Sequence, residues 1–310
     1  MVFRSLLFIP GNNKKFLDKS KTLSPDIICY DLEDSVPLNE KENARQMIMN
    51  ATALDKNQDN SVEKPQMLGK LANTSSQVFV RINSFESGIY DQDLRSTLNS
   101  GIDGIVIPKV NSVFELQQII NLIKSLEKER NLEEIKLIPS IESSLGVVNS
   151  YSIASFDSRV VALVFGVFDY LYDMKLDYSE RDGLEYSYAR AKIPVDARAA
   201  GISALDSIWQ KIDDIDGLKQ DAMIAKRLGY SGKTIIHPTH IDSVNEVFFP
   251  SQNEIDWANK VMSIVKQFEE QGDKRGALKV DGRMVDAVHF KHAKLILDIL
   301  KRKQNENKNS

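Results

Sequence analysis

Most residues able to do chemistry in this chain are acids and cations set where short apolar runs end. "CYDLEDSVP", residues 29–37, starts as a buried-strand pattern and closes on three carboxylates within four positions, Asp31, Glu33 and Asp34, with Pro37 just beyond. "VFVRIN", 78–83, carries Arg81 in an otherwise apolar run, and "GIVIPK", 104–109, ends in Lys109. "KLIPSIE", 136–142, ends in Glu142, and "VVALVFG", 160–166, leads through "FGVFDY" to Asp169. Glu142 and Asp169 have no Cys or His cluster beside them. Two such carboxylates suit a hard divalent cation such as Mg2+, which takes oxygen ligands and keeps several waters that a substrate can replace.

Each of these residues also has a plainer reading. Glu142 fits an exposed strand end or a partner to a helix cap. Glu33 and Asp34 are adjacent, so in an extended strand they face opposite sides, and only a turn brings both toward one ion; capping of the segment that begins at "SVPLNEKENAR" is the alternative. A buried Arg81 needs an anion, either a ligand carboxylate or a barrel acid such as Glu33. His237, in "IIHP", fits a hydrogen-bonded residue at a rim, and Cys29 a small buried hydrophobe and not a nucleophile.

The elements that must position these groups repeat. Eight short apolar runs begin near residues 3, 26, 78, 104, 136, 160, 204 and 233, and helical periodicity fills segments such as 112–130 and 217–230. Runs without clean alternation are what parallel strands covered on both faces look like, so the pattern predicts a (β/α)8 TIM barrel over 1–245, with a doubly wound sheet as the other arrangement that fits. Functional groups in such barrels gather where strands end and βα loops begin, which is where these acids fall. The polar stretch 51–76 reads as a broken helix or excursion. Residues 246–303 are expected to form a C-terminal helical arm or lid with a Gly-containing link, and 304–310 a disordered tail.

Composition narrows the partners. The chain has 310 residues, 40 Lys plus Arg against 44 Asp plus Glu, and a net charge of −4, which offers no footprint for nucleic acid or an anionic membrane. One cysteine precludes an internal disulfide, and the apolar N-terminal run is short for a signal or a membrane span, so a cytoplasmic protein acting on small molecules is expected.

Taken together, "RSLLFIPGN", "DLEDSVPLNEKENAR", "VRIN", "IPKV", "IES" followed by Gly146, "FGVFDY", "GYSGKTIIHP", "VNEVFFPS" and "GRMVDAV" resemble, in order, the citrate lyase beta-subunit-like family of the HpcH/HpaI aldolase superfamily, which also holds malyl- and citramalyl-coenzyme A lyases. The resemblance implies a TIM barrel with a C-terminal helical extension that assembles as homotrimers or hexamers. It implies that Glu142 and Asp169 ligate Mg2+, that Glu33 and Asp34 hold the metal's waters, and that Arg81 and Gly166 border a 2-oxo acid. Asp286 matches an acid that in several relatives enters a neighbouring subunit's site to donate or accept a proton. Where many relatives have an Arg-Pro pair after "PGN" this chain has Asn13 and Lys14, and Phe168 stands where smaller or polar residues are usual.

The activity implied is reversible cleavage of a 3-hydroxyacyl thioester of malyl, citramalyl or citryl type to a 2-oxo acid and an acyl thioester, carried on coenzyme A or an acyl carrier. Asp286 as proton donor would then need a raised pKa. A class II aldolase acting on free 4-hydroxy-2-oxo acids, and a catalytically weak paralogue serving as a subunit of a larger complex, are the alternatives.

Overall fold

The computed structural model describes residues 3–53, 76–178, 183–270, 277–280 and 282–308; the excursion expected at 51–76 lies almost wholly outside them. Contacts divide the chain into two compact units, Met1–Phe248 and Phe249–Ser310.

The first unit runs β1 (Ser5–Pro10), α1 (Lys14–Ser20), β2 (Ile27–Asp31), α2 (Lys41–Thr52), β3 (Gln77–Arg81), α3 (Tyr90–Thr97), β4 (Gly104–Ile107) and α4 (Val113–Arg130). It continues with β5 (Lys136–Ile141), α5 (Ser144–Ala154), β6 (Ala162–Phe165), α6 (Val167–Asp173), α7 (Ser187–Ala199), β7 (Ser203–Asp206), α8 (Ile215–Leu228), β8 (Gly232–Ile235) and α9 (His240–Phe248). The eight strands pair in sequence order, all parallel, and β1 closes on β8. The TIM barrel expected from the eight runs is therefore present, and the doubly wound sheet is excluded.

The strands are mostly apolar because each of their faces is buried. One set of side chains, including Leu6, Ile27, Cys29, Phe79, Val106, Ile138, Val164 and Leu205, packs as an inner cluster, while the intervening residues join the core beneath the helices. Helix ends follow local chemistry: Ser112, Ser143 and Asp214 accept from backbone N–H groups at the starts of α4, α5 and α8, and Gly229 ends α8 at φ 104°. Cys29 is fully buried and its thiol is pushed up by that burial, which leaves it inert.

The second unit comprises α10 (Gln252–Glu270), β9 (Ala277–Val280), β10 (Arg283–Asp286) and α11 (Ala287–Lys308) around a small core that includes Ala258, Val261, Val285 and Ile296. The two expected helices, α10 and α11, are present on either side of the link. The Gly-containing link holds an antiparallel hairpin, with Arg283 opposite Val280 and Gly282 at φ 79° supplying the left-handed turn residue. α11 also continues to Lys308, past position 304 where a disordered tail is expected, in keeping with the helix propensity of its Lys, Gln and Glu residues. Among the described residues no helix is long and apolar enough to cross a membrane.

Candidate active site

The strand parity that builds the barrel core also builds the site. Counting by two from the inner-cluster residues leads from Cys29 to Asp31 and Glu33, from Phe79 to Arg81 and Asn83, from Ile138 to Ser140 and Glu142, and from Val164 to Gly166. Asp31 and Arg81 are register partners across β2 and β3. Of these, Asp31, Arg81, Ser140, Glu142 and Gly166 line a cavity of about 440 Å³, together with Phe8, Asp34, Phe168 and Asp169, among others.

Arg81 is held from three sides. Its Nε and Nη2 donate to Asp31 Oδ1 and Oδ2 at 2.6 and 2.7 Å in a two-pronged pair, its Nη1 lies 3.2 Å from Glu33 Oε2, and its guanidinium carbon stands 4.5 Å from the Phe8 ring centroid. The sequence reading named Glu33 as the internal partner; the main partner is Asp31, one strand residue earlier on the same face. Burial would raise the Asp31 carboxyl, but Arg81 and hydrogen bonds from Ser35 and the Glu33 N–H outweigh it and hold Asp31 at about 2.

Asp31 also shapes the turn that brings Glu33 and Asp34 to the site, accepting from Glu33 N at 2.9 Å and Ser35 N at 3.1 Å. Lys41 Nζ secures that turn by donating to the Leu32 and Glu33 carbonyls at 2.6 and 2.8 Å, and Asn83 Nδ2 donates to Leu32 O at 3.0 Å. The following short helix receives no side-chain cap, so capping is not what Glu33 and Asp34 do. Both face Lys109, whose ammonium lies 2.6 Å from Glu33 Oε1 and 3.2 Å from Asp34 Oδ1. Lys109 also lies 3.3 Å from Asp169 Oδ1, a contact to which the sequence reading gave no weight.

Glu142 is buried beside Gly166. A Cβ at Gly166 would stand 2.6 Å from Glu142 Cγ and 2.9 Å from Cδ, so the glycine is the space that the carboxylate fills. Asp169 is not at a strand end but in the first turn of α6, where an acid is favoured by the helix N-terminus. Burial pushes Glu142 up to about 8, reinforced by the charges of Glu33 and Asp169, and burial pushes Glu33 up to about 7 with Asp34 adding to it.

These features fit a hard divalent ion. Glu142 and Asp169 border one cavity, each is an oxygen donor, and their mutual repulsion is what a cation would relieve. Glu33 Oε2 is buried without a hydrogen-bond partner, an oxygen that a metal-held water could satisfy. Among the described residues no group of three or more Asp, Glu, His or Cys stands close enough to hold a metal ion.

Of the other expected residues, Phe168 lines the same cavity. His237 is half-buried and pairs its Nδ1 with Thr239 Oγ1 at 2.8 Å. Asn13 caps α1, accepting from Phe16 N at 3.3 Å, and Phe168 packs on Tyr178 with ring centroids 5.3 Å apart. Asp286, in the second unit, ends β10 with Oδ1 2.7 Å from His289 Nδ1. That hydrogen bond lowers its carboxyl, where a proton-donor role would need it raised.

Fold and site together define a parallel (β/α)8 barrel whose strand ends gather carboxylates around an arginine. The family model for HpcH/HpaI aldolase/citrate lyase matches residues 4–238, and the chain belongs to that family. Citrate lyase subunit beta of Leuconostoc mesenteroides subsp. cremoris is 33% identical over 285 residues, covering 91% of this chain and 88% of that protein. Mitochondrial citramalyl-CoA lyase of Homo sapiens is 31% identical over 301 residues, covering 94% and 83%. Among solved structures, the Mycobacterium tuberculosis CitE complex with magnesium, acetoacetate and coenzyme A superposes with a TM-score of 0.74 at 24% identity, covering 96% of this chain and 98% of that one. A citrate lyase from Burkholderia xenovorans LB400 gives a TM-score of 0.80 at 18% identity, covering 99% and 93%. At these identities the likeness establishes the fold.

Proposed function

We propose that this protein is a magnesium-dependent carbon–carbon lyase that reversibly cleaves a 3-hydroxyacyl thioester to a 2-oxo acid and an acyl thioester. The observation that carries this reading is the meeting of Glu142 and Asp169 on one cavity with Arg81, in a chain whose curated relatives are named as citrate lyase subunits and a citramalyl-CoA lyase. Magnesium in a solved relative, together with the oxygen-only donor set here, supports Glu142 and Asp169 as the residues that hold the ion. When bound, the ion supplies Lewis acidity to the hydroxyl and carboxylate oxygens of the substrate.

The chain's own residues then divide the work. Arg81, fixed by Asp31 and Phe8 and lining the cavity, places its positive charge beside substrate oxygens on which charge grows as the carbon–carbon bond breaks, and its fixed position removes the cost of reorganisation. Glu33, held at about 7, is suited to take a proton from the hydroxyl through water. The departing enolate needs a proton, and Asp286 of a second copy is the residue we assign to that step, its carboxyl being protonated on entry into a closed site.

Steady-state assays of Glu142→Ala and Asp169→Ala on malyl-, citramalyl- and citryl-thioesters test the assignment. Both variants are expected to lose at least about 100-fold in kcat/KM together with magnesium activation. Full turnover with unchanged magnesium dependence in both would refute it.

A further inference from the structure

Lys109 stands where the carboxylates need positive charge. It is the second residue beyond β4 and holds a left-handed φ of 54°, which a side chain other than glycine adopts only when its surroundings impose it. Its ammonium bridges three acids from two different βα units: Glu33 at 2.6 Å and Asp34 at 3.2 Å in the turn after β2, and Asp169 at 3.3 Å in the first turn of α6. Glu33 and Asp34 accept hydrogen bonds from it, whereas Asp169 is held by charge. Arg81, the other cation here, is closed onto Asp31 by two hydrogen bonds, so the positive charge facing Asp169 comes from Lys109.

We propose that Lys109 is a positioning residue that sets how tightly the site takes its divalent ion, by competing with the ion for Asp169 while tethering Glu33 and Asp34. The inference rests on the reading that Glu142 and Asp169 hold the ion. In the absence of the ion, Lys109 balances part of the negative charge and keeps the two segments together. When the ion enters, it meets a like charge one carboxylate away. Affinity is thereby kept low enough for exchange, and the Glu33 carboxylate stays aimed at the site. A purely structural tether has the opposite consequence: without Lys109, Asp169 would relax and the ion would bind more weakly.

Calorimetric Mg2+ titration in the absence of substrate separates the two roles by sign. Lys109→Met is expected to bind Mg2+ about 3- to 10-fold more tightly than the parent, the effect of deleting one unit charge several ångström from a divalent ion in a partly solvated site. Lys109→Arg, which keeps the charge, should bind as the parent does, and Glu142→Ala should lose the ion. Binding by Lys109→Met that equals or falls below the parent's, while Glu142→Ala has lost the ion, would overturn the role of Lys109 alone. No Mg2+ binding by the parent, or undiminished binding by Glu142→Ala, would overturn the metal reading and this inference with it. If Lys109→Met fails to fold, Lys109→Gln carries the same expectation.

Discussion

Gly166→Ala tests the site at a point where stability and function should separate. The backbone at Gly166, φ −102° and ψ 92°, is open to any residue, so alanine meets no conformational penalty and even gains about 0.4–1 kcal/mol by restricting the unfolded chain. The cost comes from space. The new methyl would lie 2.6 Å from Glu142 Cγ and 2.9 Å from Cδ, against an ordinary contact of about 3.5 Å, so the carboxylate must move by nearly 1 Å. The side chain is 5% exposed and has little room to do so. Overpacking of this kind costs about 1–3 kcal/mol, which leaves a net loss of about 0–2.5 kcal/mol and a fall in Tm of a few degrees. The functional loss should be far larger, since a displacement near 1 Å in a reacting constellation costs about 100-fold in rate. Thermal unfolding by circular dichroism, run beside a thioester cleavage assay and Mg2+ titration, reads both. A folded Gly166→Ala protein within threefold of parent turnover, with parent affinity for Mg2+, would show that the glycine does not make room for a working carboxylate.

Removing Asp31 should leave the buried Arg81 with Glu33 alone; Asp31→Asn is expected to lose about 3–5 kcal/mol by urea denaturation at pH 7, and a loss under 1 kcal/mol would refute the pairing. The same pair gives a pH dependence with a definite sign. Asp31 is held at about 2 in the fold against an ordinary 3.8, so its contribution is present above pH 4 and is lost as pH falls toward 2, about 2.5 kcal/mol in all. The stability gap between parent and Asp31→Asn should therefore be flat above pH 5 and narrow below pH 4; a gap that widens on acidification would contradict it. Outside the cavity's acids, Asp206 is fully buried and accepts from Arg190 Nη2 at 2.6 Å and Lys233 Nζ at 2.8 Å, so Asp206→Asn leaves two buried cations to Asp221 and should cost about 3–5 kcal/mol, read the same way.

The barrel was legible because parallel strands covered on both faces must be mostly apolar, and eight such runs can be counted. The site was legible in part. Residue type and position after a strand singled out Glu33, Arg81 and Glu142, and all three reach the site. Asp31 was passed over as one more acid in a cluster, although parity with Cys29 already sets it on the inner face, opposite Arg81 in register. Lys109 was visible as a strand-end cation, but its role depends on a left-handed turn that Pro108-Lys109 does not advertise, since positive φ is a signal carried by glycine and asparagine. Asp169 was placed at a strand end because nothing in "FGVFDY" marks a helix start after Gly166, which makes no side-chain cap. The hairpin after α10 had its cue in "DGR", an Asp-Gly turn pair, which the flanking helical periodicity outweighed.

The distribution of cations explains why the ion is assigned to Glu142 and not to the acids that first draw attention. Among the described residues five carboxylates approach one barrel mouth, and Arg81 and Lys109 are the basic side chains that form ion pairs with them. Arg81 satisfies Asp31 with both prongs, and the consequence is a carboxyl held at about 2. Lys109 serves Glu33 and Asp34 by hydrogen bonds and reaches Asp169 by charge alone. Glu142, among the described residues, has no ion pair at all; it is buried, repelled by Glu33 and Asp169, and pushed up to about 8. A buried acid pushed up in this way is where a divalent ion gains most, because binding there removes a repulsion that the Ser140 hydrogen bond and the Arg81 charge offset only in part. Asp169, half exposed and with a cation already near it, is the acid that can share that ion without closing the site to substrate.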